Sequence, residues 1–301
     1  MDKFYYFPPW RKQFFFSSAL IDEKNNCSLF YYPYILPSKI MWFLWIKYKP
    51  IRRFFKVRYG ELPKFFNIIN AKLNLQKYNL QINTGTIGIE QKMTIFASNF
   101  DQKLFIKAGC SKIAQLLIEN ETEKLKFIGT RLGVPSVIES YVSPDVTFLV
   151  MEALDAHKTN VTTLNSAVFN YISEIKTLGD YSLKNDVFYC FAHGDCCPWN
   201  FLEKKDGSLV LIDWELSTEH PIGYDLITYI FQTAFLLRPK DSVSDIYNEN
   251  EHWILNYYQK LNILNFQDYF TKIVELKIQF ESQKQSSLLL RRWRELLCFN
   301  F

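Results

Sequence analysis

The 301-residue sequence predicts an α+β fold with a mainly antiparallel sheet in its first half and a mainly helical second half. Three observations carry that reading. Short runs of alternating apolar and polar residues recur between positions 79 and 151, one segment inside that stretch switches to the helical period, and beyond Asp155 the apolar runs are mostly helical. Composition agrees: 48% hydrophobic and 22% charged residues support a sizeable core and exclude a disordered chain.

From Met1 to about Asn74 the chain is aromatic, and Pro8, Pro9, Pro33, Pro37, Pro50 and Pro63 break it into short runs. An irregular extension of turns, short strands and one or two helices is expected over residues 1–75. Three antiparallel strands follow at Asn79–Asn83, Lys92–Ala97 and Lys103–Ala108, separated by turn residues at Gly85, Gly88 and Asn99–Asp101. Ile113, Leu116, Leu117, Leu125 and Ile128 then recur at helical spacing, so a helix is expected over Lys112–Gly129, stopping before Gly133 and Pro135. Tyr141–Val142 and Thr147–Met151 supply two more strands and complete a domain over residues 76–151. Residues 152–301 read as helices near 162–178, 224–237, 248–261, 266–284 and 286–298, around a strand-loop-strand at 189–215. The last helix is basic and amphipathic.

Charge is unevenly placed. Residues 1–60 carry eleven Lys and Arg against Asp2, Asp22 and Glu23, a net +8 on an aromatic background. That pattern suits peripheral contact with an anionic membrane surface as well as an ordinary solvated face over a core. Nucleic acid is not an expected partner, because no zinc-finger spacing or aromatic-glycine signature occurs. Six cysteines form no CxxC pair, so neither a zinc site nor a disulfide framework is expected, and reduced thiols suit a cytoplasmic protein. No signal peptide is read at the N-terminus. The most apolar run, Ile40–Ile46, lies between Lys39 and Lys47 and is too short to span a bilayer, so at most it rests on one.

The stretch that carries chemistry runs from Phe191 through His193, Gly194, Asp195, Pro198 and Asn200 to Leu202, followed by Leu209–Ile212, Asp213, Trp214 and Glu215. An Asp at the mouth of a tight loop takes a hydroxyl proton, while an Asn five residues later and an Asp after an apolar strand converge on one cation. A few hard oxygen ligands suit Mg²⁺, which completes its shell with water and phosphate.

His-Gly-Asp-x-x-Pro-x-Asn followed by Ile-Asp-Trp-Glu resembles the aminoglycoside phosphotransferase and choline kinase superfamily, with its protein-kinase-like two-lobed fold. The resemblance implies an antiparallel-sheet N-lobe over 76–151, a hinge near 152–156 and a mainly helical C-lobe over 152–301. It makes Asp195 the catalytic base or hydroxyl-orienting group and Asn200 and Asp213 the Mg²⁺ ligands. His193 becomes a loop support. Asp225 either braces the catalytic loop through backbone N–H groups or caps a helix. In the first half, Lys107 would reach the nucleotide phosphates and Glu121 would hold Lys107, with Glu119 and Glu123 as the other candidates. Gly85 and Gly88 would form a phosphate-covering turn, although a full GxGxxG is missing and a hairpin turn explains two glycines without a ligand. Backbone groups near Glu152 and Ala153 would receive the adenine. Cys196 and Cys197 serve as small apolar fillers rather than reactive thiols.

The implied cofactors are Mg²⁺ and ATP, with GTP as the other nucleotide. The expected acceptor is a sugar or glycoconjugate hydroxyl of surface-polysaccharide metabolism. Two alternatives stand beside it: an amino-alcohol kinase of the choline or aminoglycoside type, its acceptor pocket supplied by acidic residues of 243–251, and a nucleotide-binding pseudokinase scaffold at a membrane surface. A true protein kinase is disfavoured, because His-Gly-Asp replaces His-Arg-Asp and no activation segment follows Asp213.

Overall fold

The computed structural model describes residues 4–7, 13–17, 36–48, 50, 53–57, 62–159, 161–284 and 287–299. Pro8, Pro9, Pro33, Cys27, Ser286 and many of the basic residues of 1–60 lie outside the described residues. The chain divides into two compact units, Met1–Lys126 with Pro135–Leu154, and Phe127–Val134 with Asp155–Phe301.

The first unit is built on one antiparallel sheet. Its strands are β1 Phe4–Phe7, β2 Phe14–Ser17, β3 Lys56–Val57, β4 Asn79–Asn83, β5 Lys92–Ser98, β6 Lys103–Gly109, β7 Val137–Val142 and β8 Thr147–Glu152. Among the described residues the order is β3-β1-β2-β4-β5-β6-β8-β7. Among the described residues three α-helices accompany it: α1 Leu36–Lys47, α2 Lys64–Leu73 and α3 Lys112–Ile128. Strand alternation sends Leu80, Ile82, Ile95, Leu104, Ile106, Phe148 and Val150 into one core, which Phe66 and Ile69 of α2 join. Lys107 sits in the middle of β6, opposite Thr94 of β5 and Leu149 of β8.

The described part of the aromatic extension holds the short strands and helices expected over residues 1–75, but its strands join the sheet of the first unit. Phe14, Phe15 and Phe16 pair with Asn83, Ile82 and Gln81, so β2 continues the sheet beyond β4 and β1 continues it further. Phe4 and Phe15 enter the main core, while Phe7 and Phe16 meet Trp42 and Trp45 of α1 in a second cluster. Burial on both faces removes the polar alternation by which a strand is recognised. The described part of residues 1–75 thus belongs to the same compact unit as 76–151.

The second unit carries two three-stranded antiparallel sheets. Its strands are β9 Ala156–Lys158, β10 Ser182–Lys184, β11 Val187–Ala192, β12 Phe201–Lys204, β13 Leu209–Leu211 and β14 Thr218–Pro221, ordered β10-β11-β14 and β13-β12-β9. Its helices are α4 Ser166–Ile175, α5 Tyr224–Ile227, α6 Thr233–Leu237, α7 Val243–Gln259, α8 Phe266–Lys284 and α9 Ser287–Leu297. A π-helical turn, Thr228–Gln232, joins α5 to α6. Side-chain caps account for two helix starts that differ from expectation. Asn165 Oδ1 accepts the Val168 N–H at 3.0 Å, and Ser242 Oγ accepts the Asp245 N–H at 3.0 Å. Among the described residues no helix is long and apolar enough to cross a membrane.

Candidate active site

In the second unit, β11 ends at Ala192 and the chain turns through His193–Asn200 before entering β12. Gly194 makes the turn with φ +89°, and a Cβ there would collide with the Leu216 carbonyl. Asp225, in the first turn of α5, accepts the His193 N–H at 2.8 Å and the Gly194 N–H at 3.1 Å, one on each carboxylate oxygen. Asp225 therefore braces this loop, while the N-cap position of its own helix belongs to Gly223. His193 is fully engaged. Its Nε2 lies 3.0 Å from Ile212 O, its Nδ1 accepts the Asp195 N–H at 3.2 Å, and its carbonyl accepts Ser217 Oγ at 3.1 Å. These partners suit the Nε2–H tautomer and a supporting role.

Asp195 is half-buried at the loop's mouth. Asn200 Nδ2 donates to its carbonyl at 2.8 Å and to its Oδ2 at 3.1 Å, which leaves the amide oxygen of Asn200 as the atom to offer a cation. Gln232 Nε2 donates to Asp195 Oδ1 at 2.9 Å, and Cys197 Sγ lies 3.7 Å from the same oxygen. The Ile212 N–H donates to the Asn200 carbonyl at 2.9 Å, so the end of β13 is tied to the loop one residue before Asp213. Asp213 follows in the left-handed region, φ 73°, an uncommon conformation that clusters at functional sites. A carboxylate oxygen of Asp213 and one of Glu215 lie within 4.8 Å of each other. An amide oxygen and carboxylates are hard donors, few in number, and fit Mg²⁺.

In the first unit, Lys107 Nζ lies 2.7 and 2.8 Å from the two carboxylate oxygens of Glu121, both side chains buried. Among the three acidic candidates on α3, Glu119 instead lies 3.4 Å from Thr147 Oγ1, and Glu123 is exposed. Gly85 has φ +74° and no room for a Cβ against the Lys92 backbone, so its turn requires glycine with or without a ligand. Gly88 has open space around it. The N–H groups of Glu152 and Ala153 are already donated, to Ser136 O at 3.0 Å and Lys103 O at 3.1 Å.

Beneath the loop of the second unit lies a buried polar stack absent from the sequence reading. Lys277 of α8 is 2% exposed, with Nζ 3.3 Å from Gln232 Oε1, 3.4 Å from Gly194 O and 4.5 Å from the Tyr224 ring centroid. Burial opposes its charge, but Tyr224, Asp195 and Cys197 outweigh that and hold its pKa above the ordinary lysine value. His220 stacks on Tyr224 at 3.7 Å, and burial, with a smaller effect from Lys277, pushes its pKa down to about 3. Burial raises both Cys196 and Cys197 well above the usual thiol range, in keeping with fillers rather than nucleophiles. Gln232 and Lys277 are the residues of the site that sequence reasoning missed, while Glu215 stood in the motif without a role. A polar residue inside the apolar run Tyr229–Leu237 was the available signal for Gln232.

The choline/ethanolamine kinase family is matched over residues 111–293. Among solved structures, choline kinase LicA from Streptococcus pneumoniae is 17% identical, covering 78% of this chain and 98% of that one at a TM-score of 0.48. The aminoglycoside phosphotransferase APH(4)-Ia is 10% identical, covering 77% and 97% at a TM-score of 0.52. No curated protein sequence matches the chain. The second structural likeness shows the fold: an antiparallel-sheet lobe and a helical lobe of the protein-kinase-like kind.

Proposed function

The chain belongs to the choline/ethanolamine kinase family and is a small-molecule phosphotransferase, and from that premise we propose that it moves the γ-phosphoryl group of ATP onto a hydroxyl of a sugar or glycoconjugate. The observation that carries this reading is the Asp195 carboxylate on a braced loop, with Asn200 hydrogen-bonded to it and Asp213 one residue beyond the tie at Ile212. Asp195 orients the acceptor hydroxyl and takes its proton as the oxygen bonds to phosphorus, while the bond to the β-phosphate oxygen breaks and the nucleoside diphosphate leaves with that electron pair. Lys107, held by Glu121, neutralises phosphate charge. Asn200 and Asp213 would hold Mg²⁺, which supplies charge neutralisation on the phosphates. The Gly85–Gly88 turn covers them. The adenine meets the backbone near Glu152 and Ala153 through carbonyl groups, since both N–H groups are taken.

An uncharged acceptor is favoured over an amino-alcohol because the acids of 243–251 are engaged. Asp245 accepts from Ser242 at 2.6 Å, Glu249 pairs with Arg238 at 2.8 Å, and Glu251 hydrogen-bonds Tyr247. The family's own name keeps the amino-alcohol as the second reading. Mg²⁺-dependent transfer from γ-labelled ATP and GTP across sugar, glycolipid and amino-alcohol acceptors decides among them. Label in a sugar-class acceptor, lost in Asp195→Ala and Asp213→Ala, supports the reading; label in choline or an aminoglycoside replaces the acceptor. Absence of transfer to all of them overturns the enzyme and favours the scaffold.

Membrane contact through residues 1–60 belongs to the same proposal. On α1, Trp42 and Trp45 face the core while Ile40, Phe43 and Leu44 are exposed between Lys39 and Lys47, an arrangement suited to the surface of an anionic bilayer. Co-sedimentation with phosphatidylserine vesicles, lost in Phe43→Glu and Leu44→Glu, is the expected result. Equal sedimentation of wild type and variants removes this part.

A further inference from the structure

We propose that Gln232 is a positioning residue for Asp195, presented by the π-helical turn and locked in orientation by the buried ammonium of Lys277. The proposal rests on the reading of Asp195 as the group that receives the acceptor proton.

Three observations converge. Asn200, one donor to the Asp195 carboxylate, belongs to the same loop and moves with it, whereas Gln232 donates to Oδ1 from a separate helical segment. Gln232 is therefore the side chain that ties the carboxylate itself, rather than its backbone, to the helical scaffold. The turn that carries it is π-helical over Thr228–Gln232, and π-turns appear mostly as single insertions at functional sites. One inserted residue rotates the downstream segment by about 100° relative to an unbroken α-helix, so the side chain at 232 points where an α-helical register would not send it.

Lys277 supplies the third observation. An amide side chain has two ends of opposite character, and in isolation Gln232 would be free to flip. Here Nε2 meets a carboxylate and Oε1 meets an ammonium, at 2.9 and 3.3 Å. Reversing the amide would set oxygen against Asp195 and N–H groups against Lys277, two repulsive contacts at once. A fully buried ammonium is costly to keep, and this one is met by the Gly194 carbonyl and the Gln232 amide oxygen. It contacts the loop carbonyl of Gly194, the Gln232 amide and the Tyr224 and Trp293 rings, and of these Gly194 precedes Asp195 in the chain and Gln232 is hydrogen-bonded to its carboxylate. The relay fixes which lone pair of Asp195 remains for the acceptor hydroxyl: Oδ1 takes Gln232 and the Cys197 thiol, Oδ2 takes Asn200, and the further site is on Oδ2.

Gln232→Met keeps size and shape but removes both ends of the amide. Gln232→Glu keeps the acceptor toward Lys277 and sets a second carboxyl group against Asp195 in place of the neutral N–H donor. Transfer of label from γ-labelled ATP is measured to the acceptor found in the panel, and to water where none of the panel is labelled. Both variants are expected to lose about tenfold to a hundredfold in kcat, the scale of a small misplacement of a reacting group, with the KM for Mg-ATP within about threefold of wild type; Gln232→Met also lowers the thermal midpoint, because it takes an acceptor from the buried ammonium. Lys277→Met, which frees the amide to flip, loses less than Gln232→Met, and the double variant loses no more than Gln232→Met. The proposal is overturned if Gln232→Met keeps kcat within about twofold, or if kcat, nucleotide affinity and thermal midpoint fall together, as for a merely structural residue. A wild type that transfers label while the variants match it removes this proposal alone. A wild type that transfers nothing removes the phosphotransferase reading and this proposal with it.

Discussion

Lys107 and Glu121 form a buried ion pair in which one ammonium bridges both oxygens of one carboxylate, at 2.7 and 2.8 Å. The two residues are unequal in what their loss leaves behind. Glu121→Ala takes the carboxylate from the buried ammonium and leaves a cavity where that side chain stood, and a broken buried pair costs about 3–5 kcal/mol. Lys107→Met replaces the ammonium with an apolar group of similar length, so the packing that Glu121→Ala loses is kept. Urea unfolding at neutral pH is expected to rank Glu121→Ala below Lys107→Met in stability. Both variants are expected to bind Mg-ATP more weakly in titration calorimetry, in keeping with the proposed phosphate role.

Asp225→Ala removes both acceptors for the His193 and Gly194 N–H groups. Each orphaned buried donor costs about 1–3 kcal/mol, so chemical denaturation should show a loss of about 2–5 kcal/mol. Asp225→Asn keeps one acceptor and should lie between the alanine variant and wild type. A loss under about 0.5 kcal/mol for the alanine variant, the size of an ordinary surface change, would show that the brace is dispensable.

Gly194→Ala meets two obstacles: the left-handed backbone, disfavoured by about 1–2 kcal/mol for a residue with a Cβ, and the Leu216 carbonyl in the space the Cβ needs. The loop must shift to admit it. Phosphoryl transfer is expected to drop more than tenfold, while Gly207→Ala, in a turn with open space around it but also at positive φ, affects stability alone. Equal activity losses at the two positions would contradict the assignment of the first loop to the active site.

His220 predicts an acid-side instability. Its folded-state pKa is pushed down to about 3 by burial, and by Lys277 across the Tyr224 ring, whereas the unfolded chain protonates near the ordinary value of about 6.5. Between those values the unfolded state binds more protons, so stability is complete above about pH 6.5 and declines as pH falls toward about 3, by at most about 1.4 kcal/mol per unit from this group. Thermal midpoints recorded from pH 7 to pH 4 should fall less steeply in His220→Gln than in wild type. Parallel curves would remove His220 as the cause.

The parts of this architecture that alternate or repeat cleanly were readable from the residues. Strands β4, β5 and β6, helix α3 and helix α8 fall where the period-2 and period-3.6 patterns place them, and Lys107 and Glu121 meet because β6 and α3 hold regular geometry. Asp195, Asn200 and Asp213 stood out through their spacing, and the structure brings Asp195 and Asn200 into direct contact.

Other features left no periodic trace. Phe14–Phe16 show no alternation because both faces of β2 are covered, so a strand there looks like an aromatic run. Gln232 was hidden by the π-turn, which breaks the spacing by which a helical face is read. Lys277 occurs in Ile273–Ile278 as any solvated helix lysine would; only the packing of Tyr224, Gln232 and Trp293 around it reveals a buried charge.

The order β3-β1-β2-β4 also bears on how the protein tolerates shortening. Among the described residues that margin of the sheet ends in β3, a two-residue strand carrying an exposed Lys56, a poor template for further pairing. A chain trimmed of its first 75 residues would leave β4 with unpaired N–H and C=O groups beside bared Leu80 and Ile82, an edge on which a second molecule can add its own strand. Among the described residues β2 and β1 cover that edge, and removal of residues 1–75 is expected to be seen first as insolubility, before any question of catalysis arose.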